Sequence, residues 1–162
     1  MALLQCQLIF ILGYHMLSKL KEWIFSANGI RHVINVYGPY FGAGVKATYI
    51  SKDFRHAKVS LPLRWYNRNY VGVHFGGSLY SMIDPFYMLL LMNTLGKDYI
   101  VWDQSADIQF IKPGTGTVSA TFTVTDEMVA EIIEKTANGD KYLPTYPVTI
   151  VNEQGEVVAK AN

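Results

Sequence analysis

Cysteine is nearly absent from the sequence: Cys6 is the only one among 162 residues. It can therefore form no intramolecular disulfide and no cysteine-based zinc site, and we expect a reducing, cytoplasmic location. The four histidines show none of the spacings of metal ligands, so we expect no metal. Charged residues are 17% of the chain, the net charge is +1 and the basic residues form no run. Nucleic acid is therefore not an expected partner.

Hydrophobic residues, by contrast, make up half of the chain, and 14% of it is aromatic. This composition excludes a disordered protein and favours an oligomer that hides apolar surface. We predict a single domain over residues 1–162, with an N-terminal helical extension at 1–40 and the core at 45–162. The opening MALLQCQLIFIL has no positive residue before it and no cleavage site after it, so we expect a docked helix there and not a secretion signal.

The most apolar stretch, residues 75–95, contains a single charge, Asp84. Its apolar residues fall on all sides, which predicts a long helix buried on every face. A membrane-spanning helix is the rival interpretation. The central carboxylate, the double glycine at the start and the alternating strands that follow argue against it, so we expect no membrane. A buried carboxylate is costly unless it is paired or used, which makes Asp84 a candidate functional residue. Pro85 predicts a kink beside it.

Alternating apolar residues predict two strands before this helix, at 45–50 and 57–63, and three or four after it. The later strands are predicted around 106–110, at 117–124 and as a hairpin of 148–151 with 156–161. A short helix capped by Thr125 separates them. Helical periodicity over 8–37, broken at Asn28-Gly29, predicts two more helices before the sheet. This order predicts an α+β fold in which an antiparallel sheet curls around the long helix.

Gly76 and Gly77, at the start of the long helix, have two interpretations. Exposed backbone N–H groups at a helix start suit a phosphate or a developing oxyanion. Alternatively, the absence of side chains permits close packing. The local sequence does not decide between them. The run from Gly76 to Tyr80 resembles a nucleophile elbow, but Tyr80 stands where a glycine is required, so Ser78 is interpreted as a helix-entry residue.

Together these residues resemble a known signature. The run Asn69-Tyr70-Val71-Gly72-Val73-His74-Phe75-Gly76-Gly77, followed by Asp84, is similar to the N-x-x-G-x-x-H-G-G…D motif of hotdog-fold acyl-CoA thioesterases, most closely the phenylacetyl-CoA-pathway type and its DUF4442 relatives. The resemblance implies a hotdog fold with Asp84 as nucleophile or general base. It also implies that the Gly76 N–H forms the oxyanion hole and that Asn69 orients water or substrate.

The sequence departs from this motif at one position. Phe75 stands where the family has histidine, and His74 is shifted by one residue. A shift of one residue rotates a side chain by about 100° around a helix axis, so His74 does not simply replace the motif histidine.

The resemblance also implies a substrate and an assembly. The expected enzyme is a homodimer or a tetramer made as a dimer of dimers, and it hydrolyses acyl-CoA. Coenzyme A is then part of the substrate, and no further cofactor is expected. Because sites of the family lie between subunits, Asp103 or Ser105 of the partner subunit is expected to complete the site around Asp84. The other candidate substrate-binding residues are Gly77, His74, Phe75 and Tyr80, with Arg64, Arg68 and Lys112 for the phosphates.

Two alternatives remain open. His74-Phe75 followed by Gly76 resembles the His-Phe-x-Gly of hotdog dehydratases, but those enzymes need an acid about fourteen residues after the histidine, where Met88 stands here. A non-catalytic acyl-CoA binding protein fits the missing motif histidine.

Overall fold

The computed structural model describes residues 18–162, so the predicted helix at the very start of the chain lies outside the described residues. Residues 18–24 are helical, and α1 (Ala27–Val36) and α2 (Gly38–Ala43) follow. The helix break predicted at Asn28-Gly29 is wrong, because Ser26 caps α1 by accepting the N–H of Gly29. Gly29 instead lies inside α1, where a Cβ would come within 1.9 Å of the Trp23 carbonyl oxygen.

The sheet has six strands and all of the predicted ones form. They are β1 (Lys46–Ile50), β2 (His56–Pro62), β3 (Ile108–Phe110), β4 (Thr117–Thr123), β5 (Val148–Val151) and β6 (Val157–Ala161). Every neighbouring pair is antiparallel, and the spatial order is β1-β2-β4-β5-β6-β3. The short strand β3 therefore lies at one edge of the sheet. Between β4 and β5 lies α5 (Asp126–Lys135), capped as predicted by Thr125, which accepts the N–H of Met128.

The predicted long helix forms as two helices, α3 (Gly76–Ser81) and α4 (Phe86–Leu95), separated by a turn over residues 82–85. Asp84 N–H still donates to Tyr80 O at 3.1 Å, but Pro85 has no N–H to donate. The next donor, Phe86, reaches Ile83 O only at 3.5 Å. The break therefore occurs at the predicted kink, beside the carboxylate.

Aromatic rings join these helices to the sheet. Phe86 of α4 is fully buried and stacks on Phe122 of β4, with ring centroids 5.1 Å apart. Its ring also stacks with Tyr40 of α2, at 6.3 Å. The prediction that the helix is buried on every face is wrong, because Met92 is 46% exposed and Asp84 is also exposed. Within residues 18–162, no helix is long and apolar enough to cross a membrane.

Candidate functional site

A cavity of about 710 Å³ lies between α3, α4 and two irregular segments, residues 99–107 and 139–146. Its size falls within the range of small-molecule sites. The helical wall is mostly apolar and is formed by Tyr80, Ile83, Asp84, Tyr87, Met88, Leu91 and Leu95. Met88, where the dehydratase interpretation requires an acid, is thus part of an apolar wall.

Asp84 borders this cavity from the turn between α3 and α4. Its apolar neighbours in sequence predicted that it is buried, and this prediction is wrong in the single chain, where it is exposed. Pro85 explains the difference, since it interrupts the helical hydrogen bonding and turns the chain at the carboxylate. An exposed carboxylate next to an apolar cavity needs no buried partner and is accessible to a bound molecule.

Three of the other predicted site residues line the same cavity: Tyr80, Asp103 and Ser105. A hydrogen bond to Asp84, then burial, raise the pKa of Tyr80. Asp103 is exposed overall, but partial desolvation of its carboxyl group and then the charge of Asp84 raise its pKa. These shifts indicate that the groups lie close enough to act on one another. Asp103 or Ser105 was expected from a partner subunit, whereas a single chain already brings both to the cavity of Asp84.

Tyr40 of α2 is a neighbour that the sequence analysis missed. Its side chain is 5% exposed, and its hydroxyl is buried without a hydrogen-bond partner in the described part of the chain. Burial, followed by the negative charge of Asp84, raises the pKa of Tyr40. No local sequence signal could have indicated this, because Tyr40 and Asp84 come together only through packing of α2 on α3.

Asn69 and the loop that follows it form a second region. The Asn69 side-chain oxygen accepts the N–H groups of Val71 and Val73, both at 3.1 Å, and its amide nitrogen donates to His74 O at 3.4 Å. Gly72 has φ +85° within this turn, a backbone region that favours glycine. The Asn69 amide is therefore engaged in shaping the loop, and its role toward water or substrate stays a prediction.

His74 and Phe75 lie in opposite environments. His74 is 3% exposed, and its Nε2 donates to Gly116 O at 3.1 Å. Burial lowers the pKa of His74, which favours the neutral ring. Phe75 is 56% exposed. Neither residue lines the cavity, and His74 is packed as a core residue.

Gly76 and Gly77 are closely packed by aromatic rings. A Cβ on Gly76 would lie 2.9 Å from Phe110 Cζ, and one on Gly77 would lie 2.5 Å from Phe75 Cε1. This favours the packing interpretation of the two glycines. The backbone N–H groups of a first helical turn nevertheless have no acceptor inside the helix, so the two interpretations are compatible.

The basic residues expected to bind phosphates lie outside the cavity lining. Arg64 and Arg68 are exposed, and Lys112 forms an ion pair with Glu156 at 2.9 Å. The cation that does line the cavity is Lys141, which the sequence analysis missed because its partner, Gln104, is distant in sequence. In the described residues, no group of three or more histidine, cysteine, aspartate or glutamate side chains could hold a metal ion.

A family model described as a domain of unknown function, DUF4442, matches residues 23–162. The chain belongs to the DUF4442 family. No curated protein matches it.

Solved structures resemble this DUF4442 chain at low sequence identity. A probable thioesterase of unknown function from Pseudomonas aeruginosa is 18% identical with a TM-score of 0.66, covering 81% of this chain and 87% of that one. A thioesterase from Haemophilus influenzae is 13% identical with a TM-score of 0.60, covering 85% and 86%. The E. coli PaaI protein from the phenylacetic acid degradation operon is 17% identical with a TM-score of 0.55, covering 82% and 85%. These likenesses establish the fold, and the predicted hotdog fold is confirmed.

Proposed function

We propose that this DUF4442 protein is an acyl-CoA thioesterase in which Asp84 is the nucleophile or general base. The observation that carries the proposal is the position of Asp84, an exposed carboxylate at a helix break that borders an apolar cavity of about 710 Å³. The hotdog scaffold, shared with structures named as thioesterases, adds support. With one cysteine in the sequence, we place the enzyme in the cytoplasm.

The chemistry follows from the groups beside Asp84. A carboxylate takes a proton from the attacking water or attacks the thioester carbonyl itself. The raised pKa of Tyr80, caused first by its hydrogen bond to Asp84, keeps that hydroxyl protonated. Tyr80 is then a hydrogen-bond donor that orients the carboxylate. The oxyanion that forms on the carbonyl requires a separate donor, for which we propose the Gly76 N–H, with Asn69 fixing the loop before it.

The spacing of Gly76 and Asp84 bears on how the site is assembled. They are eight positions apart, and α3 alone advances the chain by about 7.5 Å, at ~1.5 Å per residue from Gly76 to Ser81, before the turn that holds Asp84. First-turn N–H groups point out of the helix start, away from Asp84. Both groups must approach within about 3 Å of the reacting atoms of one thioester, and their separation along α3 disfavours this within a single chain. This separation supports a site that combines Gly76 of one chain with Asp84 of another.

The sheet offers a surface for such an assembly. Strand β3 is three residues long and lies at the edge, so one side of its backbone has no neighbouring strand in the described chain. Phe110 of β3 is 55% exposed, and Ile111 beside it is 52% exposed. We propose that two copies pair through this edge, as a dimer or as half of a tetramer made of two such dimers, with the sites between subunits.

The first test is Asp84→Asn, measured by single-turnover hydrolysis across short, medium, long and aromatic acyl-CoAs. Because Asp84 is exposed, the melting temperature should be unchanged while turnover falls by about a hundredfold or more. Asp98→Asn is the matched control, since Asp98 is exposed and does not line the cavity. Undiminished turnover in folded Asp84→Asn would remove Asp84 from the chemistry.

The second test mixes two inactive variants. Proline is tolerated at the first helical position, so Gly76→Pro removes the N–H there, although the Phe110 ring must shift. If each site uses Gly76 and Asp84 of different chains, refolding Gly76→Pro together with Asp84→Asn restores one intact site per mixed dimer, about a quarter of wild-type activity. Absence of any recovery, or a monomeric mass in solution, would contradict the two-chain site.

One observation favours a second candidate, an acyl-CoA binding protein without catalysis. Phe75 occupies the motif histidine position, and the neighbouring His74 is buried in the core. Tight binding of a thioether analogue of acyl-CoA, with no turnover of any thioester, would favour this candidate.

A further inference from the structure

The cavity beside Asp84 has an unusual balance of charge. Four carboxylates line it, those of Asp84, Asp103, Asp107 and Asp140. Among the described lining residues the one cation is Lys141, whose ammonium group donates to the Gln104 side-chain oxygen. The boundary of the cavity is therefore acidic, and its single positive group already has a hydrogen-bond acceptor.

The interior of the cavity is apolar. Ile83, Leu91 and Val148 line it and are buried, whereas all four aspartates are exposed. The Tyr87 ring also lines it, and its hydroxyl donates to Pro147 O at 3.2 Å. A bound molecule would place an apolar group among these side chains and pass the aspartates to reach them.

The carboxylates already act on one another. Partial burial, and after it the charge of Asp84, raise the pKa of Asp103, so one lining carboxyl group resists ionisation. A further carboxylate on a ligand would meet the same field. Because the aspartates are exposed, the effective dielectric constant is closer to that of water, about 60; at about 8 Å each charge then disfavours the ligand carboxylate roughly threefold, and four of them about a hundredfold.

We propose that this cavity binds the acyl group of the substrate, and that the acyl group is uncharged and apolar, because the four aspartates exclude acyl groups that end in a carboxylate. The inference rests on the proposed thioesterase function and adds its substrate class. The phosphates of coenzyme A remain outside, since Arg64, Arg68 and Lys112 do not line the cavity.

The test compares octanoyl-CoA with suberoyl-CoA, which has the same chain length and adds one terminal carboxylate. We expect kcat/KM to be about a hundredfold lower for suberoyl-CoA at low ionic strength, and the ratio to narrow as salt is added. Equal values for the two substrates at low ionic strength would overturn the proposal.

Substitutions of the lining aspartates test which charges cause the discrimination against suberoyl-CoA. Asp107→Asn combined with Asp140→Asn should reduce the octanoyl to suberoyl ratio about tenfold, because two of the repelling charges are gone. Asparagine at position 107 still accepts the hydrogen bond that Asn162 donates to Asp107. Asp98→Asn, outside the lining, should leave the ratio unchanged. An unchanged ratio in the double variant would overturn the assignment to these aspartates.

Binding measurements with non-hydrolysable analogues test the cavity proposal independently of the proposed catalysis. Calorimetry with octyl-CoA thioether and its terminal-carboxylate counterpart requires no turnover. Preferred binding of the octyl analogue, even to a protein that hydrolyses nothing, supports the apolar acyl cavity and refutes only the catalysis. If the protein hydrolyses thioesters but binds the two analogues equally, only the cavity proposal is overturned. If it binds neither analogue, the cavity proposal and the thioesterase proposal are both overturned.

Discussion

The motif loop, residues 69–77, and the cavity around Asp84 use their polar groups in different ways. In the loop, the Asn69 side chain binds backbone groups of the loop itself, and His74 donates to Gly116. Around the cavity, Asp84 and Asp103 are exposed, and the buried hydroxyl of Tyr146, a lining residue, has no partner within the described residues. The Asn69 side chain and His74 Nε2 are therefore engaged in holding the loop, although the buried His74 Nδ1 has no partner among the described residues. The exposed carboxylates of the cavity, by contrast, are available to a ligand.

The motif therefore combines residues that fix the backbone with a residue that supplies a functional group. The residues that make the motif recognisable, such as Asn69 and Gly72, are those that fix a backbone shape. Asp84, which is distant from them along the helix, contributes the free functional group. In a single chain the loop does not line the cavity. The comparison predicts that changes in the loop alter stability, and that changes around the cavity alter activity and substrate choice.

Among changes that leave Asp84 in place, filling the cavity should have the largest effect. Met88→Trp places a large ring in the lining of the cavity, so kcat/KM for octanoyl-CoA should fall at least tenfold while acetyl-CoA hydrolysis persists. Met92→Trp is the control, one turn further along α4, because Met92 is 46% exposed and outside the lining. Equal loss in the two variants, or no change in chain-length preference, would place the acyl group elsewhere.

Removing the Asn69 amide should act on stability. Asn69→Ala leaves the N–H groups of Val71 and Val73 without their acceptor, so the free energy of unfolding should fall by about 1–3 kcal/mol in urea denaturation. Asn93→Ala should cost less, because Asn93 is exposed and donates one bond, to Leu89 O. Full stability combined with lost turnover would instead assign Asn69 to the chemistry.

The pH dependence of stability should reveal the acidic cavity. The pKa of Asp103 is raised, first by partial burial and then by Asp84, so the folded state holds this proton to higher pH than the unfolded state. Stability is therefore lost as pH rises from the ordinary carboxyl value, about 3.9, through the raised one. Asp103→Asn should raise the melting temperature at neutral pH, and the gain should vanish toward pH 4. Asp98→Asn should show no such gain in melting temperature. A similar gain in that variant would contradict the assignment of the pH dependence to Asp103.

Local sequence patterns were sufficient for most of the fold. The alternation in β4 and the Thr125 cap each depend on residues within one element, and the structure reproduces both. The kink at Pro85 is local too, because proline lacks the N–H wherever it stands. The helix-break error at Asn28-Gly29 arose because a glycine was interpreted as a breaker when it was required for close packing on Trp23.

The cavity could not be predicted in the same way. It depends on segments 99–107 and 139–146, which have no regular structure and meet through contacts such as Lys141 with Gln104. The exposure of Asp84 was missed because an apolar neighbourhood in sequence was taken to mean burial on every face. The sequence shows which residues surround Asp84 along the chain, but the path of the sheet decides which side of the helix it covers.

The smallest effect is expected for Phe75→His, which restores the motif histidine. The Phe75 ring is 56% exposed, so an imidazole there is not buried without a partner. Part of the ring's packing beside Gly77 is lost, and the free energy of unfolding should change by no more than about 0.5 kcal/mol. Turnover, measured on the same preparation, should equal or exceed that of the unmodified protein.

Phe86→His is the contrasting variant for that measurement. Phe86 is fully buried between the rings of Tyr40 and Phe122, so an imidazole there loses two stacking partners and enters an apolar site without an acceptor. A cost of about 3–5 kcal/mol is expected at this position. If Phe75→His proved as costly as Phe86→His, the Phe75 ring would have to be buried in the assembled protein. The departure from the motif would then mark a subunit contact, because burial of a side chain that is exposed in the single chain requires a second surface to cover it.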